Sequence, residues 1–375
     1  MSPSFVLSVS RVAMVCVAIS TVASTAEESP LPLRWDPATG ENVRWVAELG
    51  SYSYGGPVAA AGKVFVGTNN AQPRNPAITD DRGVLMAFRA ADGAFLWQAT
   101  HPKLEQAFDF PLQGVCSTPT IEGDRLYYVS NRGELLALDV EGFLDGENDG
   151  PIADESAHGR ADADVVWRLD LRRELGVVPH FMSASTPAIL GDLLFVHTSN
   201  GIDESGRVPA PRAPSFLAVD RRDGAVRWGD ASPGAELVDG QWSSPTVLMA
   251  GGRRQVLFPG GDGWLYSFAP EDGKLLWKVD GGSVVGTSAG DRRNAFVATA
   301  AVAQGLVYIP AGRDPEQGSG PGSLWCIDPA ASGADPEARV RWRFGGKTAT
   351  PPPPGASGAG RAAGSFARSI ATAAI

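Results

Sequence analysis

A tryptophan returns along this chain at the end of one short pattern, and the spacing of those tryptophans leaves few folds open. The pattern is plainest between Gln241 and Trp277. It runs Ser243-Ser244-Pro245-Thr246-Val247, then Gln255-Val256-Leu257-Phe258, turns at Gly260-Gly261-Asp262, resumes as Trp264-Leu265-Tyr266-Ser267-Phe268, and closes with Asp272-Gly273-Lys274-Leu275-Leu276-Trp277. The runs are short, rich in β-branched and aromatic residues, and bounded by Gly, Asp and Pro, so the unit reads as four strands joined by three reversals. The closing Gly-x-x-x-Trp recurs at Gly93 to Trp97 and Gly224 to Trp228, while Trp45, Trp167 and Trp342 close units with altered turns. Successive closers lie 52, 70, 61, 49 and 65 residues apart. Four strands per unit of about fifty residues, with loop insertions, is the signature of a β-propeller blade. A Trp at one fixed place per blade is expected to pack between neighbouring blades, which assigns Trp97, Trp167, Trp228, Trp277 and Trp342 to structure.

The fold class is therefore all-β, a β-propeller of four-stranded antiparallel blades, with five full blades plus the start of a sixth. The 45 Gly and 29 Pro among 375 residues agree, since turns are many and no long helical period competes. The propeller spans 43–344. Residues 1–26 read as a secretory signal: Arg11 precedes an apolar run from Val12 to Ala23, too short to span a bilayer, and Ser24-Thr25-Ala26 offers small residues for cleavage. Export to the periplasm or outside the cell follows, with no integral membrane role after cleavage. Residues 345–367, with four consecutive prolines at 351 to 354, read as a disordered Pro/Gly/Ala-rich segment, and 368–375 as the first strand of an incomplete further blade. A chain ending there is expected to be a truncated copy with an incomplete ring. A formal charge of −10 supplies no basic footprint for nucleic acid.

In a four-stranded meander, the loop between second and third strands emerges on the same face as the segment leading into each first strand. The long loops, 69 to 82, 200 to 214 and 312 to 322, all fall on that face. Binding is expected there, with Tyr54, His180, Gln241, Trp242, Asn294 and Arg313 as ligand-binding candidates, since loops on a rigid scaffold carry function. For Tyr54 and Phe110 a second reading, plugging of a central channel, stands level. An insertion in blade two, Glu141 to Asp164, carries eight acidic residues against one Arg. Within it Asp145, Glu147 and Asp149 stand at alternate positions before Gly150, as in the front half of a calcium loop, yet the twelfth position holds Ser156 in place of the bidentate Glu. A solvated acidic turn is the competing reading. Cys116 and Cys326 fall in different blades and are expected as two buried thiols.

The stretch Ala218-Val219-Asp220-Arg221-Arg222-Asp223-Gly224-Ala225-Val226-Arg227-Trp228 resembles the tryptophan-docking repeat of the quinoprotein-like propellers, with weaker copies at Ala87 to Trp97 and Ser267 to Trp277. The resemblance covers about Val43 to Phe344. That family includes dehydrogenases dependent on pyrroloquinoline quinone (PQQ) and the non-enzymatic outer-membrane assembly factor of the BamB type. Alcohol-oxidising members imply adjacent cysteines, calcium ligands and an Asp base, and no adjacent cysteines occur here. His180 is the one loop-face histidine that could serve as a base. The resemblance thus implies a non-catalytic binding or scaffold protein of the cell envelope, with an envelope protein or a small-molecule or sugar ligand as partner and no resident cofactor. The alternatives are a PQQ-dependent oxidoreductase using calcium, and a carbohydrate-binding surface protein.

Overall fold

The computed structural model describes residues 32, 34–104, 109–152, 155, 158–282, 293–313, 322–333 and 335–345. The expected signal, the strand at 368–375 and most of the Pro-rich segment lie outside the described residues. Two compact units divide the chain, Met1–Asn42 and Val43–Ile375. In the first, Asp36 pairs with Glu41 across a turn that Asp36 Oδ1 braces by accepting from Ala38 N.

The second unit holds five four-stranded antiparallel sheets, each a meander in chain order. Blade one is β1 (Val58–Ala60), β2 (Lys63–Asn69), β3 (Arg82–Arg89) and β4 (Phe95–Pro102). Blade two is β5 (Thr120–Glu122), β6 (Arg125–Val129), β7 (Glu134–Asp139) and β8 (Val165–Asp170), followed by the single-turn helix α1 (Leu171–Leu175). Blade three comprises β9 (Ala188–Leu190), β10 (Leu193–His197), β11 (Phe216–Asp220) and β12 (Val226–Asp230). Blade four comprises β13 (Thr246–Ala250), β14 (Arg253–Pro259), β15 (Trp264–Phe268) and β16 (Leu275–Asp280). Blade five comprises β17 (Ala301–Ala303), β18 (Leu306–Ala311), β19 (Ser323–Ile327) and β20 (Val340–Gly345). Gly345, expected to open the disordered segment, instead ends β20.

One device repeats in every blade. A closing Trp faces a small residue on the third strand: Trp97 opposite Ala87, Trp167 opposite Ala137, Trp228 opposite Ala218, Trp277 opposite Ser267 and Trp342 opposite Cys326. The register slips by one residue immediately beyond each pair, a bulge that bends the outer strand. Cys326 therefore sits in a volume-limited slot of the repeat. It and Cys116 are both buried and free, as expected.

The tryptophans then lock blade to blade. Trp45 Nε1 donates to Ala90 O (2.9 Å), Trp97 to Val140 O (3.2 Å), Trp167 to Arg221 O (3.0 Å) and Trp228 to Pro270 O (2.8 Å), each a carbonyl in the next blade's closing turn. A Gly of that same turn lies under the ring. A Cβ on Gly224 would come within 2.7 Å of Trp167, and its φ of +74° also disfavours any side chain. Trp277 departs from the rule. Its Nε1 reaches Gln255 Oε1 of its own blade (2.8 Å), and Gln255 Nε2 passes the link to Pro329 O of blade five (3.2 Å), while the Arg339 guanidinium stacks on the ring. Trp342 is 45 % exposed, which corrects its expected place between blades: among the described residues no further closing turn lies beyond it to receive the indole.

Apolar clusters fill the four seams between consecutive blades. On the inner side the Ser/Thr-Pro motifs precede the first strands and do not belong to them, because Pro has no N–H for a ladder. Their polar groups stitch neighbouring blades instead: Gly56 N donates to Thr118 Oγ1, Ser117 Oγ to Ser185 O, Thr186 N to Ser244 Oγ and Ser244 N to Thr299 Oγ1. The acidic insertion of blade two lies along blade one. Gln98 N donates to Ala161 O (2.9 Å) and Ala163 N to Gln98 O (3.0 Å), a single parallel bridge by which the end of the insertion covers part of the outer edge of β4.

Candidate functional site

The face shared by second-to-third loops and lead-in segments forms as topology dictates. In blade one, Asn69 Nδ2 at the loop start donates to Leu112 O of the next lead-in. In blade three, the loop after β10 meets two lead-ins at once. His180 N donates to Ser199 O (3.0 Å), Gly201 N to Val178 O (3.1 Å), and Gln241 Nε2 to Asn200 O (2.8 Å). Gly201 permits this closeness, since a Cβ there would stand 2.5 Å from the His180 Cβ.

Here His180, Gln241 and Trp242 come together. Trp242 Nε1 donates to His180 O (3.3 Å), and its ring lies 5.9 Å from the imidazole. Phe181 lies nearly parallel to Trp242, at 8° with centroids 6.5 Å apart, and packs on Phe110 at 5.0 Å. Phe181 adopts φ +58°, a left-handed conformation unusual for a bulky side chain, which surrounding contacts must hold at a cost of about 1–2 kcal/mol. Phe110, His180 and Phe181 border a cleft of about 570 Å³ whose lining continues through Val178, Pro179 and Ile202 to the loop from Asp203 to Arg207, with Trp242 packed on Phe181 outside that lining. The floor is apolar. The rim is acidic.

Inside the wall, His180 Nδ1 lies 2.7 Å from Ile202 O, and Nε2 lies 3.1 Å from Asp239 Oδ1 without the alignment of a hydrogen bond. The Nδ1 contact fixes the ring's orientation in the wall. At the rim, Asp203 Oδ1 accepts from Ser205 Oγ, Ser205 N and Arg207 N, bonds that hold its carboxyl below the usual range. Arg207 Nε donates to Ser205 Oγ (2.9 Å).

The other sequence candidates stand elsewhere. Tyr54 stacks on Tyr52 at 6.2 Å in the lead-in to blade one, half exposed, and burial pushes its hydroxyl up. Asn294 and Arg313 flank the Ala295–Gly312 bridge of blade five, where Asn294 is buried and Arg313 Nε and Nη2 are enclosed without a hydrogen-bond partner. Sequence reasoning missed Asp239 as the partner of His180, and no local pattern marks it. The acidic trio is not gathered: Asp145 Oδ1 accepts from Glu147 N, and Asp149 pairs with Arg125 at 2.8 Å. Among the described residues no group of three or more His, Cys, Asp or Glu side chains is placed to hold a metal ion.

Two further histidines are internal. His101 lies 2.5 Å from Tyr128 Oη, and His197 is wedged between Phe216 and Phe258; burial lowers each to about 3. Among the described residues no helix is long and apolar enough to cross a membrane.

No curated protein matches the sequence significantly. Among solved structures, BamB from Moraxella catarrhalis matches at 16% identity over 76% of this chain and 61% of its own, with a TM-score of 0.42. The quinohemoprotein alcohol dehydrogenase ADHIIG from Pseudomonas putida HK5 matches at 15% identity over 77% and 52%, with a TM-score of 0.48. That from Comamonas testosteroni matches at 12% identity over 81% and 62%, with a TM-score of 0.42. The chain thus spans 52% to 62% of the length of these three proteins. A family model matches over residues 34–306 and 157–344, which takes in all five blades, and the chain accordingly belongs to the PQQ-like β-propeller family described as outer membrane protein assembly factor BamB.

Proposed function

We propose that this protein is an exported, non-catalytic binding propeller of the cell envelope, and that it holds a protein segment in the cleft of blades three and four. The observation that carries this reading is the pairing of an aromatic wall, Phe110 and Phe181, the latter stacked on Trp242, with a rim bearing Asp203 and Glu204. Aromatic anchors beside an apolar cleft accept a large apolar side chain, and the carboxylates favour a neighbouring Lys or Arg on the same segment.

The quinone reading meets an electrostatic obstacle at this cleft. PQQ carries three carboxylates and calls for converging cations. The lining offers Arg207 beside Asp203 and Glu204, with the Arg207 Nε already donated to Ser205. The residues around the cleft do not fit the quinone.

An array of extended peptides of about twelve residues tests the proposal. Peptides that place Trp, Phe or Leu next to Lys or Arg should be retained, and replacing the exposed lining residue, Phe110→Ala, should weaken them by about tenfold or more with little change in melting temperature. Unchanged retention in the variant would rule out this cleft. Saturable one-to-one uptake of PQQ that requires calcium, measured by titration calorimetry, would replace the binding reading with an oxidoreductase.

A further inference from the structure

A second cavity, of about 360 Å³, opens between the outer strand of blade one and the face of blade two, and its chemistry differs from that of the aromatic cleft. Gln98 lines it. That residue is 5 % exposed, its backbone is used by the blade-two insertion, and its side-chain Oε1 is buried with no hydrogen-bond partner. An unmet buried acceptor is destabilising unless a donor arrives. Glu134, also buried, lines the same cavity; its Oε2 takes only long contacts from Ser130 Oγ (3.3 Å) and Arg132 Nε (3.5 Å).

The inner end is thus built of acceptors. Arg168 supplies the opposite character. It pairs in register with Leu136, two residues along β7 from Glu134, so strand alternation puts Glu134, Leu136 and Arg168 on one face of blade two. Its side chain is exposed and, among the described residues, has no ion-pair partner. Glu155 and Asp162 also line the cavity and add to its acceptors, Glu155 Oε1 accepting from Val165 N and Asp162 Oδ2 from Gly159 N. The remaining wall carries an aliphatic patch, Leu136, Ile152 and Val165, beside Thr100 and His101.

From this arrangement we infer that the cavity is a binding site for a small zwitterion of the aliphatic α-amino acid class. The ammonium group donates to Gln98 Oε1 and the Glu134 carboxylate, the carboxylate meets Arg168, and the side chain lies on the aliphatic wall. Acceptors inside and a guanidinium outside match the two ends of such a molecule, whereas a plain cation leaves Arg168 unused and a plain anion meets Glu134.

Titration calorimetry on the full chain tests this with L-leucine, 3-methylbutylamine, which lacks the carboxylate, and 4-methylpentanoate, which lacks the ammonium. L-leucine should bind saturably at one site, and each half-molecule should bind at least about tenfold more weakly. Arg168→Gln, an exposed change that leaves folding intact, should reduce L-leucine to the affinity of the amine. Gln98→Leu should weaken L-leucine and the amine alike, and Gln98→Glu should restore them. Absence of saturable heat with L-leucine on a cooperatively melting sample would overturn the inference, as would an Arg168→Gln variant with unchanged affinity.

Discussion

Trp167 and Trp342 close the same repeat, face the same kind of small residue across the strand pair, and meet opposite fates. Trp167 is buried in the seam of blades two and three, bonded to Arg221 O and seated on Gly224. Trp342, with Phe344 beside it on the strand, faces solvent. The repeat therefore fixes where an indole points, and the next blade's Gly turn decides whether it stabilises anything. Each blade supplies the key for one seam and the lock for another, so stability is held between blades as much as within them.

The largest effect that can break this comparison is Trp167→Ala. Emptying the seam should cost about 3–5 kcal/mol, read from the urea midpoint of the full chain. If Trp342→Ala cost as much, the seam would not be the source. Gly224→Ala should follow at about 2–4 kcal/mol, because a left-handed φ and the Trp167 ring both oppose a Cβ. Gly305 makes a control, since its φ is +76° but nothing lies within 4 Å of an added Cβ. Its Ala variant should cost only about 1 kcal/mol.

Acid sharpens the same contrast by acting on docked seams. His101 and His197 titrate near 3 when folded, against 6.5 ordinarily, so the unfolded chain takes up protons first as pH falls. Stability fully present above 6.5 is lost toward 3, at about 2 kcal/mol per histidine by pH 5. His197→Gln should flatten that loss in midpoints measured between pH 7 and 5; an unchanged slope would put the effect elsewhere. Asp139 has the opposite sign. Burial raises its carboxyl to about 6 despite Arg125, so its contribution grows as pH falls through that value and partly offsets the histidines. The smallest effect is Trp342→Ala itself, expected within about 0.5 kcal/mol, as for other surface changes.

Much of this was legible from local pattern. Runs such as Arg125–Val129 and Trp264–Phe268 coincide with strands, because β-branched and aromatic residues between turns leave the backbone few options. The loop face was also legible, since meander topology sets which turns share a side. The cleft was legible only in part. His180, Gln241 and Trp242 converge because the loop from Ser199 to Arg207 bends over them, while Tyr54, Asn294 and Arg313 obey the same rule in other lead-ins. Topology assigns a face; it does not say which neighbours touch. Asp239 and Gln98 carry no sequence mark, because their significance arises from partners found or missed across dozens of residues.

The Gln255 link between blades four and five has a mechanical meaning. Elsewhere the indole grips a main-chain carbonyl of the next blade; here it grips a side-chain amide of its own blade, which Ser267 Oγ also bonds, and only that amide reaches Pro329 in turn. Tension applied from the C-terminal end meets its most compliant joint at this seam. Blade five is the module expected to peel away first, with the four before it coming apart at higher force.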